Sequence, residues 1–149
     1  DRAAVTGVSG SWQFWALLSA AFAALTAIFA KVGVAGVNPD FATFVRTIVV
    51  IFALAAVLSA TGQWQDPGGI ASKTWIFLAL SGLATGASWF CYFRALQIGD
   101  AARVAPIDKL SVVMVAIFAV AFLGEKLSAV NWLGVAMIGG GAVLVSIKA

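Results

Sequence analysis

The chain has 149 residues, 62% hydrophobic and 10% charged, with a mean hydropathy of +1.04 and a formal charge of +3. A water-soluble domain carries roughly 25% charged residues, so this composition excludes a water-covered globule and puts most of the surface in lipid. It has no His and a single cysteine, Cys91; that excludes an intrachain disulfide, a Cys/His metal centre and a Cys/His catalytic dyad, and the small dispersed charge is no nucleic-acid footprint.

A hydrocarbon core of ~30 Å takes about 20 helical residues to cross, and the uncharged runs predict five helices, although the fourth run, Leu110–Gly124, reaches that length only if Val104–Lys109 is included, which brings Asp108 and Lys109 into the membrane. The expected fold is an all-α integral membrane protein. Residues 1–11, which begin at Asp1, are expected to be a flexible N-terminal segment compatible with a cloning remnant, without functional weight. Residues 12–149 form the transmembrane domain. Helix 1 is placed at 12–32, with Trp12 and Trp15 at an interface and Lys31 at the far end. Asn38-Pro39-Asp40 makes the next loop. Helix 2 is placed at 41–60 and carries Arg46. Pro67-Gly68-Gly69 turns the chain, flanked by Trp64 and Trp75.

Helix 3 is placed at 73–97. Its Gly82-x-x-x-Gly86 spacing permits close helix contact, either inside the monomer, the more common use, or with another chain. Helix 4 is placed at 105–123, with Pro106 in its first turn, where a missing N–H costs little, so that Pro106 opens or kinks the helix. Helix 5 is placed at 130–147 and contains Gly139-Gly140-Gly141, a flat face for packing or dimerisation. The helices are apolar all round, so periodicity does not separate a lipid face from a bundle face.

Alternation of five spans puts Lys31, Arg46, Arg94, Arg103, Lys109 and Lys148 at one end of the bundle, here called the basic end. The opposite end holds Lys73 and Lys126, with Arg2. Arg46 and Lys109 lie inside their helices, and without them the bias is too weak to fix one orientation. Insertion both ways, giving an inverted pair, follows as an expectation. Intramembrane charges favour a bundle interior or water. One reading is a polar vestibule in which Arg46 or Arg94 pairs Asp108 and Lys109 contacts substrate. The other is snorkelling of the long basic side chains to the interface, favoured for Arg94 and Arg103. Asp108 is short and most needs a partner.

The stretches Arg94-Ala95-Leu96-Gln97, Arg103-Val104-Ala105-Pro106-Ile107 and Leu123-Gly124-Glu125-Lys126-Leu127 resemble the signature of EamA-type drug/metabolite transporters. Trp132-Leu133-Gly134 and Gly139-Gly140-Gly141 match that family's last helix, and Pro39, Ala42 and Arg46 fit the start of its second. Typical members carry ten helices as two inverted five-helix repeats, and this chain holds one. The resemblance, to the half-size bacterial and archaeal branch, implies an antiparallel homodimer moving small molecules across the cytoplasmic membrane. It implies a cavity lined by helices 1, 3 and 4, with Lys31, Arg94, Pro106, Asp108 and Lys109 carried over and Trp89 and Tyr92 as aromatic walls. It implies no cofactor.

The leading expectation is a secondary transporter, an exporter, of a small anionic or zwitterionic metabolite, because basic groups are in excess at one end. The alternatives are a multidrug-type cation/proton antiporter and a non-transporting membrane subunit of a larger complex. The first is weakened because helix 1 has no acid between Trp12 and Ala30. An enzyme is not expected: the glycine clusters lack the Lys-Ser/Thr of a nucleotide loop, and no nucleophile stands beside a base.

Overall fold

A computed structural model describes residues 10–147; the expected N-terminal segment 1–11 lies almost wholly outside the described residues, as does Lys148. Six α-helices follow one another: α1 Trp12–Gly33, α2 Pro39–Thr61, α3 Ser72–Ile98, α4 Ala101–Asp108, α5 Ser111–Phe122 and α6 Ala129–Ser146. A short 3-10 turn, Pro67–Gly69, lies between α2 and α3. Among the described residues there is no strand. Because α4 and α5 continue one another, five segments among the described residues are long and apolar enough to cross a membrane, the fourth being Ala101–Phe122.

Local chemistry sets most helix ends. Ser11 caps α1 by accepting from the Phe14 amide, and Asn38 caps α2 by accepting from the amides of Asp40 and Phe41. Pro39 stands at the start of α2, where its missing N–H is harmless. Asp40 is therefore in the first turn of a helix, not in a loop as the sequence suggested. Ser128 and Asn131 form a reciprocal capping box on α6. Gly62 ends α2 with φ 65° and Gly124 ends the α5 segment with φ 69°, a left-handed conformation that favours glycine.

The fourth span departs from expectation in two ways. It begins at Ala101, four residues before the predicted start, so Pro106 is the sixth residue of α4 and not in its first turn. The amides of Arg103 and Val104 bond back to the Asp100 carbonyl, and packing of Ala101 and Val104 on the core overrides the bias of a pre-proline residue away from helix. The span then breaks at Lys109-Leu110. Leu110, Val112 and Val113 donate to the carbonyls three residues back, a 3-10-type tightening one turn beyond the donor that Pro106 lacks.

Packing is concentrated at the basic end. Ala30 and Val34 of the α1 end pack against Phe93 and Leu96 of α3, with Ala42, Trp89, Tyr92, Ala101 and Val104 around them. Leu96 is fully buried and Val34 2% exposed. The α2 helix lies along α3, α6 packs on α4 and α5, and α1 touches α3 and α4. By contrast, residues 12–25 of α1 and 72–88 of α3 are exposed throughout. Phe, Leu, Ile and Trp side chains dominate that exposed surface, which in water would be a large apolar patch and in a bilayer faces hydrocarbon or another chain.

The glycine faces divide accordingly. A Cβ on Gly139 would meet Val113 at 3.0 Å, so α6 approaches α5 closely there. Gly140 and Gly141 have nothing within 4 Å of that position, and neither do Gly82 and Gly86. Among the described residues no neighbour of this chain closes on Gly82 or Gly86, so the expected use of that spacing for packing inside the monomer does not occur there.

Candidate functional site

One face of α3 organises the basic end. Trp89, Tyr92, Phe93 and Leu96 recur at helical spacing of three or four residues and point at the core. The Trp89 ring meets Tyr92 edge-on at 5.5 Å between centroids and Phe93 at 5.8 Å.

On one side of Trp89 lies a small polar cavity of about 130 Å³, lined by Ala23 of α1, Ser88, Trp89 and Tyr92 of α3, and Asp108 and Lys109 at the break after α4. Four of the residues singled out from the sequence, Trp89, Tyr92, Asp108 and Lys109, come together there, and the walls belong to the first, third and fourth spans. The break in the fourth span aims Asp108 and Lys109 into this space. Their charged groups are 3.9 Å apart, and both side chains are substantially exposed, so neither is consumed by a tight pair. Ser88 and Ala23 are members that sequence reasoning missed; nothing but their helical phase marks them.

A larger groove of about 680 Å³ lies between α1 and α2, with Phe93 of α3 in its lining. Arg46 is its only charged lining residue. The Arg46 guanidinium stacks over Trp89, 3.5 Å from the ring centroid, with Phe93 at 5.7 Å. Trp89 thus walls the cavity and carries on its face the arginine that lines the groove.

The remaining basic residues have other work. Arg94 does not pair Asp108, and neither does Arg46. Arg94 binds Asp40 across the α2–α3 contact and lies over Phe90 at 4.3 Å; the start of α2 and the end of α3 are adjacent, whereas Asp108 ends α4 and lines the cavity with Trp89 and Tyr92. Lys31 lines neither space. Its ammonium donates to the carbonyls of Leu96 at 2.5 Å and Gly99 at 2.7 Å, capping the C-terminus of α3, where carbonyls lack amide partners and a cation is favoured. Gln97 adds a second tie, donating to the Val37 carbonyl at 2.9 Å. Among the described residues no group of three or more metal-ligating side chains converges.

Five apolar spans among the described residues, three of which wall a charged cavity, are the architecture of a multi-pass membrane protein. The chain belongs to the EamA-like transporter family, which matches residues 10–147. A relative from Sinorhizobium sp., named as an uncharacterized transporter in the cobO 3' region, is 70% identical over 140 residues, which are 94% of this chain and 99% of the relative. No solved structure matches the chain.

Proposed function

We propose that the protein is a secondary transporter that exports a small anionic or zwitterionic metabolite across the cytoplasmic membrane as an inverted homodimer. The observation that carries this reading is the juxtaposition of Asp108 and Lys109 in a cavity walled by Trp89, Tyr92 and Ser88. A carboxylate beside an ammonium complements a zwitterion. Lys109 alone serves an anion, and the aromatic rings exclude water from one flank. The exposed halves of α1 and α3 support the pair: a second chain supplies the cover that one chain lacks. The inverted arrangement agrees with the odd number of spans and the weak charge bias between the two ends.

A second reading follows from the same cavity. A carboxylate beside two aromatic rings also holds an organic cation, which is the multidrug-type antiporter.

The experiment is uptake into proteoliposomes of labelled amino acids, organic acids and a lipophilic cation, with Lys109→Ala and Asp108→Asn in parallel. Uptake of an amino acid or organic acid above empty vesicles, lost in Lys109→Ala, supports the first reading. Cation uptake lost only in Asp108→Asn replaces it with the second. Fusions of a topology reporter after Ser146 report on both sides of the membrane for an inverted pair and on one side otherwise.

A further inference from the structure

Arg46 stands apart from Arg94, Lys31 and Lys109. Arg94 has Asp40, Lys31 has two carbonyls, and Lys109 lies beside Asp108. Arg46 has the rings of Trp89 and Phe93 over its face and no hydrogen-bond acceptor or carboxylate among the described residues. Stacking compensates the charge in part. It does nothing for the five N–H donors at the edge of the guanidinium, which in hydrocarbon require acceptors.

Those donors border a groove whose other walls are Phe29, Val45, Val49, Phe93 and further apolar groups. The groove's one hydroxyl is spent, Thr26 donating to the Phe22 carbonyl at 2.8 Å. Along α2 it runs from Phe41 to Ala53, about 18 Å at 1.5 Å per residue. Its lining comes from two membrane spans and Phe93, so an occupant is drawn from the bilayer. Arg46 lies about 10 Å along α2 from Pro39 by the same rise, a depth from which a long basic side chain reaches the interface.

We propose that this groove is a site for one anionic phospholipid, the acyl chain lying between α1 and α2 and the phosphate accepting from the Arg46 guanidinium. The planar fork of arginine matches two phosphate oxygens, and the lipid supplies both the missing acceptor and the missing apolar filling. The assignment is independent of the transport reading, because the groove and the polar cavity share no lining residue. Occupancy fixes the rotamer of Arg46, and with it the ring that walls the cavity.

The test is titration of the delipidated, detergent-solubilised protein with phosphatidylglycerol or with phosphatidylcholine of the same chains, read as melting temperature and as lipid retained in native mass spectrometry. Phosphatidylglycerol is expected to bind about tenfold more tightly, a ratio such titrations resolve. Arg46→Gln abolishes that preference, while Arg46→Lys and Arg103→Gln keep it. If Arg46→Gln does not fold, the retained-lipid ratio on the unaltered protein decides. Equal binding of the two lipids overturns the proposal, as does equal protection by inorganic phosphate or loss of preference in Arg103→Gln. Efficient crosslinking of Val49→Cys to a second copy, in a Cys91→Ser background, would overturn it too by making a partner chain the occupant.

Discussion

Arg94 meets Asp40 side-on, with Nε donating to Oδ1 at 3.1 Å and Nη2 to Oδ2 at 2.8 Å. This two-point pairing joins the last turns of α3 to the first turn of α2, and lysine cannot reproduce it. Arg94→Lys and Asp40→Asn are each expected to lower the melting temperature in detergent, the double variant no further than the worse single one. Both side chains are well exposed, so the effect weakens as salt is raised. Additive losses in the double-mutant cycle would show that the two residues act separately.

Lys31→Met keeps the apolar stem and removes both donors to the carbonyls of Leu96 and Gly99. Hydrogen bonds from a charged group are worth roughly 1.5–3 kcal/mol, and a loss of that order is expected in unfolding free energy. Transport per folded molecule is expected to persist, because the ammonium faces α3 and not the cavity. Full stability with abolished transport would return Lys31 to the substrate path that the sequence resemblance assigned it.

Trp89 carries Arg46 on its face, and a partly desolvated cation–π contact is worth ~1–2 kcal/mol. Trp89→Leu is therefore expected to destabilise the fold by more than Trp89→Phe, which retains a ring. Arg46→Met is expected to remove most of the difference between the two, and thermal melts of the four proteins test it.

The two glycine faces make opposite predictions. Gly82→Ile and Gly86→Ile project into space empty of this chain, so the monomer's stability is expected to be unchanged within ~0.5 kcal/mol while self-association in liposomes falls. Gly139→Val drives methyl groups toward Val113 and is expected to cost about 1–3 kcal/mol of fold stability. Photobleaching counts of labelled subunits in single vesicles separate the two effects; unaltered counts for the α3 variants would remove α3 from the dimer contact.

The five spans are legible in the sequence because length and absence of charge suffice to specify them. The partners of the charges are not. Pairing depends on how each helix is rotated, and helices that are apolar on every face carry no phase. Hence Asp108, the acid that most obviously needs a partner, attracted Arg46 and Arg94 on paper, while Asp40, which holds Arg94, read as a loop residue. Pro106 misled for a related reason: a proline marks a helix start only when nothing upstream packs, and Ala101 and Val104 do. The cavity was partly legible, since Asp108 and Lys109 had to be brought into the span to reach crossing length. The groove was not, because it exists only where α1 and α2 diverge.

The uneven packing along the bundle has a mechanical consequence. The basic end is a clamp, tied by the Arg94–Asp40 fork, the Lys31 cap and the Gln97 tether, whereas the far ends of α1 and α3 are unbraced levers some 14 and 17 residues long. An inverted pair, as proposed above, would set the tied end of one copy beside the exposed stretches of the other in each leaflet, so that each leaflet would hold one stiff half and one compliant half.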